Sequence, residues 1–199
     1  MSIRPTIRQF ASTLACAACT TFLVTGFVSM ARADDDRANA ASLKDQKARA
    51  GEFIRLVRES TERFKDVNVA IAEDYQLNFG CVSGSDWGAM GLHYVNGALL
   101  MDGKLDPTRP EIVIYEPLPN GRLRLIGADY LVFADAWDAK KIGPPQLGGQ
   151  LFHLFESPNR FGLKAFYTLH VWAWKDNPSG AFVNWHPHVS CNEFNGHEH

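Results

Sequence analysis

This chain has little cysteine and no clustered positive charge. Of its four cysteines, Cys16 and Cys19 fall in the N-terminal leader, so Cys81 and Cys191 alone remain beyond it. No run of Lys and Arg occurs anywhere, which argues against nucleic acid and anionic membrane surfaces as partners, since both need concentrated positive charge. Familiar catalytic signatures are missing too. There is no H-E-x-x-H, the glycines do not fall as G-x-G-x-x-G, and no serine sits in G-x-S-x-G. The acids of Met101–Pro110 are too widely spaced for a calcium loop. No internal repeat and no long linker divides the chain.

The leader is legible. Met1–Arg8 carries two arginines and no acid, residues 10–30 are apolar and rich in small side chains, and Ala31-Arg32-Ala33 is an A-x-A site. This is the layout of a secretory signal peptide over residues 1–33. An uncleaved anchor is the rival reading, but the run is near the minimum spanning length and diluted by Ser, Thr and Gly. The protein is expected to be exported, periplasmic or secreted, with no stable membrane insertion after cleavage. Three of the 20 basic residues and none of the 22 acidic ones lie in the leader, leaving a net charge of −5. Residues 34–199 suit one globular domain with one core.

In an exported chain, Cys81 and Cys191 read as one disulfide. Closing so long a loop is worth about 4–5 kcal/mol of chain entropy. A thiolate metal site is the alternative.

Helices are expected over about 43–75. Ala50, Phe53, Ile54, Val57, Thr61 and Phe64 recur at three- and four-residue spacings, and Asp66 can cap a second short helix. Asp34–Ser42 reads as a frayed lead-in. From about 79 to 191 the texture is that of strands. Four glycines between Gly80 and Gly91 imply unusual backbone angles or close approach of another group. Leu92–Asn96 and Glu111–Glu116 read as strands, and Asn120-Gly121 is the strongest hairpin signal, with Arg122–Phe133 returning. Ala136–Gly149 reads as loop.

Ala165–Lys175 alternates with both faces apolar, so it is a central strand or a barrel wall. Phe182–His188 is expected to return beside it, and the tail from 192 to 199 to be mobile. Helices first and strands afterwards give an α+β fold: N-terminal helices on a mainly antiparallel sheet or partial barrel, pinned by one disulfide.

Cys81, Gly88-Ala89-Met90-Gly91-x-His93-Tyr94-Val95-Asn96, Tyr115-Glu116-Pro117, Leu169-His170-Val171-Trp172-x-Trp174-x-x-Asn177-Pro178-x-Gly180 and Val189-Ser190-Cys191 form a pattern. It resembles that of a group of exported bacterial proteins of unknown function. The resemblance covers most of the chain beyond the leader and implies no activity.

The chemistry-bearing candidates are His93, His153 and His170, all in apolar surroundings, and Glu116 at the end of an apolar strand. Imidazoles and a carboxylate from separate strands are how a sheet builds a site for a Zn, Cu or Fe ion. Phe166, Trp172, Trp174 and Trp185 are the expected pocket walls. His186 and His188 could extend the site or line its rim, and His197-Glu198-His199 reads as solvated tail. Three readings follow: a metal-binding protein, catalytic or not; a binder of a small molecule in a tryptophan-lined pocket; or an envelope module whose histidines each bond a backbone group. Geometry separates them.

Overall fold

The computed structural model describes residues 25–196, with side chains from residue 37 onward. Residues 1–24, which hold most of the expected signal peptide, and the tail residues 197–199 lie outside the described residues. The chain divides into two compact units, Met1–Leu43 and Lys44–His199. In the first, the described residues are helical, the opening turns of α1 (Thr25–Thr61). The expected lead-in Asp34–Ser42 is thus helix, consistent with its alanines, and residues 37–43 are exposed. Among the described residues no helix is long and apolar enough to cross a membrane.

The second unit is built on a curled, antiparallel six-stranded sheet, a half-barrel. Its strands are β1 (Tyr75–Gly84), β2 (Gly88–Asn96), β3 (Ile112–Leu118), β4 (Arg122–Phe133), β7 (His153–Phe155) and β8 (Phe166–Val171), in the order β1-β2-β3-β4-β8-β7. A small hairpin of β5 (Gln146–Leu147) and β6 (Gln150–Leu151) stands apart from it. The hairpin between β3 and β4 turns at Asn120 and Gly121, φ 66° and 70°, the two positive angles that a tight hairpin turn demands.

The helices cover one face of the sheet, the one that carries Tyr94, Val113, Ala128 and Val171 in a single cross-strand row. Phe53 and Val57, on the stripe read from the sequence, pack from α1 against Ala128, Tyr130, Leu169 and Val171. A 3-10 turn, Glu62–Lys65, and α2 (Val67–Ala72) follow α1. Asp66 caps α2 by accepting from the Asn68 amide at 3.0 Å. Phe64 and Ala70 pack with Tyr75, Tyr94 and Tyr115, and the Tyr115 hydroxyl donates to the Phe64 carbonyl at 2.7 Å. Ile71, on α2, is 43% exposed.

Three irregularities curl the sheet. Phe79 and Gly80 are extra residues in β1, between the pairs Asn78–His93 and Cys81–Leu92; Met90 is extra in β2; Ile126 is extra in β4. A bulge bends its strand and raises the local twist.

Elsewhere the strand reading needed revision. Gly97–Asp102 is helix α3, capped by Asn96, whose side chain accepts from the Ala98 and Leu99 amides. Ala134–Asp138 is helix α4, just before and within the expected loop. Phe182–His188 is not a strand; a single bridge, Ala89–His186, docks it on β2, and the Asp-Asn-Pro-Ser-Gly turn before it and Pro187 within it explain why pairing stops there. The Cys81–Cys191 disulfide is formed. Phe194 packs against the core and its amide donates to the Cys191 carbonyl at 2.8 Å, so the tail is anchored at least that far.

Candidate metal centre

The inner face of the curled sheet gathers side chains that are far apart in sequence. Register puts Ile112, Asp129 and His170 in one cross-strand row, with His93 opposite Ile114 in the neighbouring row. In a flat sheet β2 and β8 would stand three spacings apart, about 14 Å. The curl instead brings His93 Nε2 to 3.4 Å from His170 Nε2. Asp129 Oδ1 lies 3.5 Å from His170 Nδ1. His93, Asp129 and His170 form a buried group that could hold a metal ion, with one ligand atom from each lying within 4.8 Å of the others.

Two of the three members are held from behind. His93 Nδ1 donates to the Gly91 carbonyl at 3.1 Å, which Gly91 presents by adopting φ +97°. The Thr168 hydroxyl donates to Asp129 Oδ1. His170 Nδ1 is buried and has no hydrogen-bond partner. Burial, reinforced by His170, lowers the His93 pKa to about 4. Burial also lowers that of His170 to about 3, helped by the nearby His153, and raises that of Asp129 to about 6. Both imidazoles are therefore neutral near pH 7, the form that ligates metal.

The group opens onto a cavity of about 20 Å³, room for a water molecule or an ion. Its walls are apolar, among them Phe79, Met90, Ile112, Leu131, Phe161 and Phe166. Four phenylalanine rings interlock over it: Phe155 stacks on Phe166 at 5.1 Å, and Phe161 meets Phe79 edge-on at 5.5 Å.

His93 and His170, singled out from the sequence, are thus brought together, and Phe166 lines their cavity. Glu116 is not. Burial pushes its pKa up, but hydrogen bonds from Lys175 (2.7 Å) and Arg124 outweigh this and hold its carboxylate ionised. Glu116 lies further along β3 than Ile112, the residue that β3 contributes to the row of Asp129, and pairs with Arg124 instead. His153 is exposed on β7, opposite Thr168, outside the group. His186 has both ring nitrogens engaged, Nε2 donating to the Asp176 carbonyl at 3.1 Å and Nδ1 accepting from the His188 amide at 3.0 Å; its role is structural. His188 is exposed.

The tryptophans are not the cavity walls either. Trp172 is buried, donating to the Val183 carbonyl at 2.6 Å. Trp174 donates to Thr61 at 3.0 Å, and Trp185 packs against Gly84. Asp129 is the member that sequence reasoning missed. A signal was there: an aspartate within Leu-Ile-Gly-Ala-Asp-Tyr-Leu-Val-Phe occupies a strand interior, where that residue is depleted and costly to bury.

Comparison with protein-family models, with curated proteins and with solved structures finds no match for this chain.

Proposed function

We propose that this protein is an exported metal-binding protein whose centre is the His93–His170 pair, with Asp129 as its carboxylate. The observation that carries the reading is the direct approach of the two buried rings, Nε2 to Nε2 at 3.4 Å. The His93 Nδ1 proton goes to the Gly91 carbonyl, so in the neutral ring Nε2 is a bare lone pair. If His170 carries its proton on Nε2, it donates to His93, and a bare Nδ1 then faces the Asp129 carboxylate at 3.5 Å. If it carries the proton on Nδ1, two bare Nε2 atoms face each other at 3.4 Å. With Asp129 ionised, each arrangement leaves one contact between lone pairs.

A cation bound by both Nε2 atoms resolves the second arrangement. Two nitrogens at ~2.0–2.1 Å from a tetrahedral ion lie about 3.3–3.4 Å apart, which is the spacing present. The Gly91 carbonyl and Asp129 would then orient the two ligands from behind, as outer-shell partners of metal-bound histidines do. Neutral imidazole suits Zn, Cu and Fe. The remaining coordination positions would face the cavity and accept water or a small-molecule ligand, the arrangement a metal-dependent enzyme also requires. The formed disulfide supports residence in an oxidising compartment.

The test is metal content. The exported protein, carrying His197→Ala and His199→Ala and purified without a metal-affinity step, is equilibrated with Zn, Cu or Fe and dialysed. About one equivalent should remain. His93→Ala and His170→Ala should each lose it, and Asp129→Asn should weaken it by roughly 10–100-fold. Protein that stays metal-free with all three ions, the gap being filled by a proton, overturns the reading. So does a metal retained in both histidine variants.

A further inference from the structure

We infer that the guest admitted beside the His93–His170 pair is an uncharged molecule of about diatomic size, such as dioxygen or nitric oxide. Its approach to a metal rests on the metal-binding reading; the selection by size and charge rests on the cavity alone.

The free volume of about 20 Å³ excludes anything larger than a few atoms. The polar groups among the lining residues are His93, Asp129, Thr168 and His170. Most of those groups are already committed: His93 Nδ1 to Gly91, the Thr168 hydroxyl to Asp129, and the facing Nε2 atoms to each other or to an ion; His170 Nδ1 has no partner and faces the Asp129 carboxylate. An anionic guest would shed its water for at most one uncommitted ring nitrogen beside the Asp129 carboxylate, a cost of several kcal/mol. An apolar guest pays no such penalty. Apolar cavities that stay dry are the ones that take up xenon.

Access is apolar as well. Met90, Ile112, Leu131, Phe166 and the polar groups are buried, whereas Phe79, Phe155, Phe161 and Leu163 are partly exposed. The way in from solvent therefore runs between phenylalanine rings. Phe79 owes its place there to the β1 bulge, where it adopts φ 65°, a left-handed angle uncommon for a bulky side chain.

Two probes test this. Metal-free protein is exposed to xenon under pressure, in crystals or by xenon NMR. One xenon beside Leu131 and Phe166 is expected, and its absence from the cavity overturns the inference. In the second arm, protein loaded anaerobically with ferrous iron is offered nitric oxide and, separately, azide. The EPR signal of a high-spin iron–nitrosyl is expected, with azide binding weaker by roughly a hundredfold or more, because its charge would enter an apolar cavity beside the Asp129 carboxylate. Azide that binds as well as nitric oxide overturns the inference. Failure to take up iron, with xenon still bound, removes the metal-binding reading and leaves the selection of a small neutral guest supported.

Discussion

At Gly91 two demands fall on one residue. Its φ of +97° is rarely open to an L side chain, and a Cβ there would stand 2.6 Å from the Tyr115 carbonyl oxygen. Its own carbonyl fixes the ring of His93. Gly91→Ala is expected to destabilise the fold by about 2–4 kcal/mol, since neither backbone angle nor clash can relax cheaply. Chemical denaturation measures this, and metal affinity should fall with it. Glu111 gives a residue-scale prediction of a different kind. It is 1% exposed, and its Oε2 accepts from the Leu131 amide at 3.1 Å. Burial, with Asp129 and Asp102 nearby, raises its pKa to about 8 from 4.5. Between those values the folded chain holds a proton that the unfolded chain has released. Stability from this group is therefore fully present below pH ~4.5 and is lost as pH rises through about 8. Glu111→Gln should match the wild type near pH 4 and exceed it by a few kcal/mol, to order of magnitude, at pH 9. Equal pH profiles for the two proteins would sink this assignment.

At the scale of elements, Asn96 joins three pieces of structure. Its side chain caps α3 through the Ala98 and Leu99 amides at 3.1 Å and donates to the Glu73 carbonyl at 3.0 Å. Asn96→Ala should cost about 1–3 kcal/mol, whereas Asn96→Asp, which keeps the cap, should recover part of the loss. Comparing their unfolding midpoints checks the division. Elements of this kind were legible where a local rule was strong. The stripe of Phe53, Val57 and Phe64, the Asp66 cap, the Asn120-Gly121 turn and the alternation of Phe166, Thr168 and His170 all follow from periodicity or turn chemistry. The sequence around Met101-Asp102-Gly103 carries turn residues, and in the structure Gly103 is the left-handed residue that ends the short helix α3. Phe182–His188 was misread because apolar content without alternation does not specify pairing.

For the whole molecule, the link between sequence and site is the curl. That His93 and His170 would meet could not be read from their spacing, because it depends on three bulges, at Phe79–Gly80, Met90 and Ile126, which set how sharply β2 turns toward β8. Position along β3 separates the two carboxylates: Asp129 pairs with Ile112 and joins the group, while Glu116 pairs with Arg124 and also binds Lys175. The disulfide acts on this scale as well. Cys81 directly follows the β1 bulge, and its bond to Cys191 spans 110 residues. Replacing both cysteines with serine is expected to cost about 2–5 kcal/mol and to loosen the wall that Phe79 contributes. Denaturation with and without reductant measures the first effect, and xenon occupancy the second.

One ion shared by the two facing imidazoles would be visible in a crystal. Anomalous diffraction from crystals equilibrated with zinc or cobalt tests it most directly. A single strong peak is expected within ~2.0–2.1 Å of both Nε2 atoms, absent in His170→Ala. No peak between the rings, with the ion instead on exposed His153 or His188 or nowhere in the protein, would contradict it.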